Sequence, residues 1–124
     1  MHIYRVFALF LAVMVGIFIF AFSSTSFPPS SSRVFSFLSF AYHAGVFFLL
    51  SSFLFLGVKA DRSFWSREFF LVFSLSLFYA FLDELHQHFV PGRAMDIMDV
   101  GYDVVGLLAG IIMISGLRLR RKMG

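Results

Sequence analysis

Between residues 79 and 110 the chain reads Y-A-F-L-D-E-L-H-Q-H-F-V-P-G-R-A-M-D-I-M-D-V-G-Y-D-V-V-G-L-L-A-G, a run that holds five of its seven carboxylates. Asp83, Glu84, Asp96, Asp99 and Asp103 are accompanied there by His86, Gln87, His88 and Arg93. These side-chain types hold protons, cations or anionic groups. With the histidines neutral, five acids against Arg93 alone leave four negative charges uncompensated. A half-buried pocket does not sustain that excess, because desolvation and like-charge neighbours both penalise the ionised carboxylate. Either some of these acids carry protons at neutral pH or a cation sits among them. Arg33 and protonated histidines supply part of the compensation, and a divalent metal or a cationic ligand group can supply the rest. Carboxylate-rich sites suit Mg²⁺, Ca²⁺ or Mn²⁺.

The elements that position these residues are set by the solvent, and composition names the solvent. The chain is 60% hydrophobic and 14% charged, with mean hydropathy +0.89 and 20 Phe among 124 residues, which places it in a lipid bilayer rather than in water. An ionisable side chain at the bilayer centre costs about 2.5 to 3.5 kcal/mol on insertion scales, so acids inside such a chain are functional-site candidates. Spans of about 20 residues each consume nearly all of the length. One membrane domain over 1–124 is therefore expected. Cysteine is absent, which excludes disulfides and thiolate ligands. The pI of about 9.7 does not point to nucleic acid, because the basic residues gather at span ends, where positive charge is an orientation signal.

Four apolar runs are visible, at about 6–22, 34–58, 68–89 and 94–117. The first ends in Ser23-Ser24-Thr25-Ser26-Phe27-Pro28-Pro29-Ser30-Ser31-Ser32, which does not continue a helix. The second ends at Lys59-Ala60-Asp61-Arg62, and Pro91-Gly92 breaks the third from the fourth. Continuous apolarity of this length predicts helices, since spanning strands alternate over about ten residues. The fold class is all-α, a bundle of four transmembrane helices. With the amino terminus in the cytoplasm, Arg5, Lys59, Arg62, Arg67, Arg118, Arg120, Arg121 and Lys122 lie on that side, and Arg33 and Arg93 on the other. The positive-inside rule then predicts both termini inside, in a multi-pass protein of the cell membrane. A signal peptide cleaved after Ala21-Phe22-Ser23 is the competing reading of the first run, but that run exceeds the usual 7 to 15 residues of such a segment.

Helical rise places the polar residues at one depth. At 1.5 Å per residue, a fourth helix starting near Asp96 sets Asp99 roughly 4 to 5 Å and Asp103 roughly 10 Å inward, while Asp83 and Glu84 lie roughly 7 Å below a boundary near His88. His43, in the second run, reaches a similar level. A shared cavity facing outward is expected. Asp96, Asp99, Asp103, Gly106 and Gly110 step by three, four, three and four, so they share one face of the fourth helix. Gly106-x-x-x-Gly110 is a close-packing pattern, expected to press the stripe against the third helix, where Asp83, His86 and Gln87 lie at i, i+3 and i+4. Plainer roles compete at each position: Asp83, Glu84 and Asp96 as solvated helix-end charges, with Asp96 favoured at a helix amino end; His86 and His88 as interfacial residues; His43 bonding a backbone carbonyl; Arg93 partnering an acid or a lipid phosphate.

Familiar catalytic templates are missing: there is no His-Glu-x-x-His helix, no glycine-rich phosphate loop and no Gly-x-Ser-x-Gly elbow. Asp96-x-x-Asp99-x-x-x-Asp103 shares fragments with the aspartate motif of CDP-alcohol phosphatidyltransferases, but the surrounding spacing departs from it. The runs L-D-E-L-H-Q-H-F-V-P-G-R and D-I-M-D-V-G-Y-D-V-V-G-x-x-x-G, about a quarter of the chain, instead resemble the signature of the VanZ-like family, small multi-span proteins named after a teicoplanin-resistance accessory protein. Asp83, Glu84, His86, Gln87, Pro91, Gly92, Arg93, Asp99, Gly106 and Gly110 fall on positions the family pattern favours, and Asp103 stands where that pattern takes Asn or Asp. His43 also resembles a family position, although Ser39 to Tyr42 lack the charged residues that often precede it. The resemblance implies a cell-envelope role, with reduced susceptibility to lipoglycopeptide antibiotics.

Two classes of function follow. In the first, Asp83, Glu84, His86, Gln87, Arg93, Asp99, Asp103 and His43 line a binding site for a membrane lipid, a lipid-linked envelope precursor or a lipoglycopeptide, Arg93 meeting phosphate and the acids meeting metal or amine. In the second, the protein is an enzyme acting on a lipid headgroup, with a divalent cation on Asp99 and Asp103 and a proton moved by Glu84 or His86. Ion passage ranks last, because four short helices leave little room for alternating access.

Overall fold

The structure, a computed structural model, describes residues 2–26, 33–58 and 66–123, with side chains to residue 120. Four helices follow one another: α1 (His2–Ser23), α2 (Arg33–Gly57), α3 (Arg67–His88) and α4 (Ile97–Met123). All four are long and apolar enough to cross a membrane, and no strand occurs among the described residues. The all-α bundle expected from hydropathy is what the chain forms. Most of the Pro/Ser loop (27–32) and the Lys59 to Arg62 run lie outside the described residues, as do the side chains of Arg121 and Lys122.

Helix ends follow local chemistry. The hydroxyl of Ser66 accepts from Phe69 N–H at 3.3 Å and so caps α3, satisfying one of the donors a helix start leaves open. After α3, Arg93 N–H bonds Val90 O at 3.1 Å across Pro91 and Gly92, and Gly92 has φ 78°. Proline first and a positive-φ glycine second is the pattern of a type II turn. The break expected at Pro91-Gly92 is therefore this turn. The fourth helix starts at Ile97, as expected of a start near Asp96, and Asp96 is its cap: Met98 N–H bonds Asp96 Oδ1 at 2.8 Å, and Asp99 N–H bonds Asp96 O at 3.1 Å.

The far end of α4 runs beyond Leu117 because Arg118 turns inward. Its guanidinium donates to Phe55 O at 2.7 Å, reaches Leu56 O and Val58 O at 3.3 Å, and sits 4.9 Å from the centre of the Phe55 ring. Arg5 of α1 adds a bond to Gly57 O at 3.0 Å. Two arginines thus satisfy the carbonyls that the end of α2 leaves unpaired.

The second helix is the hub of the bundle, packing most extensively on α4, then on α1, and touching α3. Ile19, Phe47, Leu107 and Ile111 are sealed at its core, while Phe7, Phe10, Phe37, Phe70 and Phe78 point outward as lipid-facing side chains. The glycine stripe differs from expectation in its partner. A methyl group on Gly106 would meet the backbone of Ala44, and one on Gly110 would meet Phe48 O and the hydroxyls of Ser51 and Ser52. These glycines therefore admit α2, not α3. Ser51 exploits the closeness by donating to Leu107 O at 2.9 Å. Between α1 and α3, Tyr79 donates to Gly16 O at 2.6 Å.

Candidate functional site

Because α2 and α4 approach so closely, Asp103, one turn before Gly106, and His43, the residue before Ala44, are brought together. Gly106 faces Ala44, so Asp103 faces His43. The imidazole Nδ1 lies 2.9 Å from Asp103 Oδ1, and its Nε2 lies 3.4 Å from Asp99 Oδ2. Ser39, one turn earlier on α2, donates to Asp99 Oδ1 at 3.2 Å. Asp103 is fully buried and His43 nearly so. A neutral imidazole offers one N–H and one lone pair. Facing a carboxylate at each nitrogen, it needs either a second proton in the cluster or a cation beside it.

The third helix completes the group from the other side. Glu84, fully buried, accepts from Asp96 N–H at 2.9 Å and from Gln87 Nε2 at 3.2 Å. Gln87 also donates to Asp83 Oδ2 at 3.0 Å and accepts from Arg93 through its carbonyl oxygen. One amide thereby links two acids to the arginine of the turn. Glu84 holds the cap of α4, so the start of that helix is registered against α3 by a carboxylate.

Of the residues expected to form a site, the structure brings His43, Asp83, Glu84, Gln87, Arg93, Asp99 and Asp103 to one end of the bundle. His86 goes elsewhere. Its Nε2 lies 2.9 Å from Ser24 Oγ, and its ring stacks on Phe20 with centroids 4.5 Å apart, so it faces α1. His88 is exposed and packs edge-on against Phe89. The i, i+3, i+4 relation of Asp83, His86 and Gln87 spans enough helix surface for its members to meet different neighbours.

Beside this cluster lies a cavity of about 480 Å³, within the range of small-molecule sites. Its lining combines the polar side chains of Ser39, Tyr42, His43, Gln87, Arg93, Asp96 and Asp99 with the apolar ones of Phe22, Phe35, Leu38 and Met95. Phe35 and Leu38 are among the exposed large apolar side chains of α2, so the cavity opens beside apolar surface. Sequence reasoning missed Ser39, Tyr42 and the apolar part of this lining. Ser39 and His43 at i, i+4 formed a polar stripe that was available as a signal; the phenylalanines carried none, being among so many.

Four helices long and apolar enough to span a membrane, with a buried histidine set between Asp99 and the buried Asp103, define a small multi-pass membrane protein. The chain matches the VanZ/LLP1 family over residues 6–119, and it belongs to that family. The match covers nearly the whole chain, well beyond the quarter that carries the resemblance in the sequence. No curated protein and no solved structure matches it.

Proposed function

We propose that this protein binds the headgroup of a phosphate-bearing membrane amphiphile, such as a lipid-linked cell-envelope precursor, in the cavity between α2 and the α3–α4 turn. The observation that carries this reading is one cavity lined both by polar side chains, Arg93 among them, and by Phe22 and the exposed Phe35 and Leu38. An amphiphile matches both, its headgroup against Arg93 and Gln87 and the start of its chain against Phe22, Phe35 and Leu38. Arginine suits phosphate because its fork donates two parallel hydrogen bonds. The cavity faces the outer side of the cell membrane on the charge bias of the loops, with both termini inside. A lipoglycopeptide, which carries an acyl chain beside its charged groups, is a competing occupant, and reduced teicoplanin susceptibility is the phenotype that such capture produces.

The test measures binding of polyprenyl phosphate and of the uncharged polyprenol to detergent-purified protein. The phosphate is expected to bind more tightly, with Arg93→Gln weakening it about tenfold or more and leaving the alcohol unchanged. Equal affinity for the two lipids, or an unaffected Arg93→Gln variant, refutes the reading. A second reading, a metal-dependent enzyme acting on a lipid headgroup, is favoured by one observation: His43, which lines the cavity, is held by a buried aspartate at Nδ1 while Nε2 lies 3.4 Å from Asp99, the arrangement of an oriented base or ligand. Release of a product from labelled polyprenyl or phospholipid substrates, abolished in Asp99→Asn, marks that class.

A further inference from the structure

We propose that His43 Nε2, Glu84 and Asp99 hold a divalent cation of the Mn²⁺ or Zn²⁺ type beside the cavity, and that this ion lets an acidic pocket accept phosphate. The inference rests on the binding reading above and names what makes it electrostatically workable. One donor atom from each of the three residues lies within 4.8 Å of the other two. Ligand atoms about 2.0 to 2.2 Å from an ion and at a tetrahedral angle are roughly 3.3 to 3.6 Å apart, and the His43–Asp99 pair stands at 3.4 Å. Drawing Glu84 onto the same ion takes a side-chain movement of up to about 1.5 Å. Its oxygens already accept from Gln87 and Asp96, but each retains a second lone pair for a metal.

One feature favours a metal over an amine, and a second calls for a positive charge of either kind. An ammonium group needs only acceptors, which Glu84 and Asp99 supply without an imidazole. His43, by contrast, is oriented through Nδ1 by Asp103, which leaves the Nε2 lone pair beside Asp99: the carboxylate–histidine–metal arrangement of known ion sites. Finally, Asp103 is fully buried and its Oδ2 has no hydrogen-bond partner among the described residues. A positive charge nearby compensates that oxygen. Imidazole together with carboxylates selects Mn²⁺, Fe²⁺ or Zn²⁺ over the all-oxygen preference of Mg²⁺ and Ca²⁺. Asp99 and His43 line the cavity, as Arg93 does, so the open side of the ion faces a space that an arginine shares.

The experiment strips full-length protein with EDTA, titrates it with Mn²⁺ and Zn²⁺, and reads bound metal by mass spectrometry alongside the thermal melt. About one ion per chain is expected, with a metal-dependent rise in Tm. Glu84→Gln and Asp99→Asn are each expected to weaken binding about tenfold or more, while His86→Ala, whose ring faces α1, retains wild-type affinity. Absence of saturable binding and of a metal-dependent melt in the wild type overturns the site, as does wild-type affinity in both acidic variants. Polyprenyl phosphate and inorganic phosphate are then each added with and without the metal. A tenfold or greater loss of lipid binding on chelation is expected, with the inorganic anion binding more weakly. Lipid binding that ignores chelation overturns the ion's role toward phosphate. A bound ion with no lipid binding in any condition upholds the metal site and strikes out the amphiphile reading.

Discussion

Substituting Gly106 by alanine tests the contact on which the whole site depends. An added methyl would stand 2.8 Å from Ala44 Cα and 2.7 Å from Ala44 C, and closer still to its carbonyl oxygen. Carbon atoms separate at about 3.5 to 4.0 Å at optimal contact, so α2 and α4 must part locally by roughly 1 Å. All the opposing atoms are backbone and no rotamer change relieves them. Overpacking of this kind costs about 1 to 3 kcal/mol. The same displacement acts one turn away on the His43–Asp103 hydrogen bond, now 2.9 Å; lengthened by most of 1 Å it no longer qualifies as a bond, and a buried group left unpaired costs about 1 to 3 kcal/mol more. Gly101 and Gly116 lie on the same helix, and a methyl group added at either would meet nothing within 4 Å. There the same change is expected to be neutral or stabilising by roughly 0.5 to 1 kcal/mol through helix propensity. Equilibrium unfolding of the three variants in mixed micelles reads the difference. If Gly106→Ala is as stable as Gly101→Ala, the close approach of α2 and α4 is wrong, and with it the account of how His43 reaches Asp103.

Three other perturbations address separate parts of the fold. Gly92→Ala forces a side chain into a positive-φ position and is expected to cost about 1 to 2 kcal/mol, read as a lowered unfolding midpoint; an unchanged midpoint removes the turn assignment. Tyr79→Phe deletes the 2.6 Å bond to Gly16 O and is expected to cost about 0.5 to 1.5 kcal/mol without altering lipid or metal binding, so altered binding would show that α1 and α3 shape the cavity together. The chain has no cysteine, so Ala94→Cys and Leu119→Cys can each be probed in intact cells with an impermeant thiol reagent; labelling at 94 and protection at 119 is expected, and the reverse pattern places the cavity on the inner side.

Hydropathy, period and turn chemistry are local properties, and what they govern was legible in the chain alone. Apolar runs of about 20 residues required lipid as solvent and helices as the spanning structure. Proline followed by glycine demanded a break between α3 and α4, and steps of three and four put Asp96, Asp99, Asp103, Gly106 and Gly110 on one face. A stripe of glycine asks for a close neighbour without saying which. Tertiary packing chose α2, and through that choice it seated His43 between Asp99 and Asp103. Packing likewise turned His86 toward Ser24 and Phe20, and it made Glu84 the acceptor for the cap of α4. The physical reason is that each helix's periodicity specifies its own faces, whereas the partner of a face depends on how all four helices rotate to satisfy their small residues and buried polar groups together.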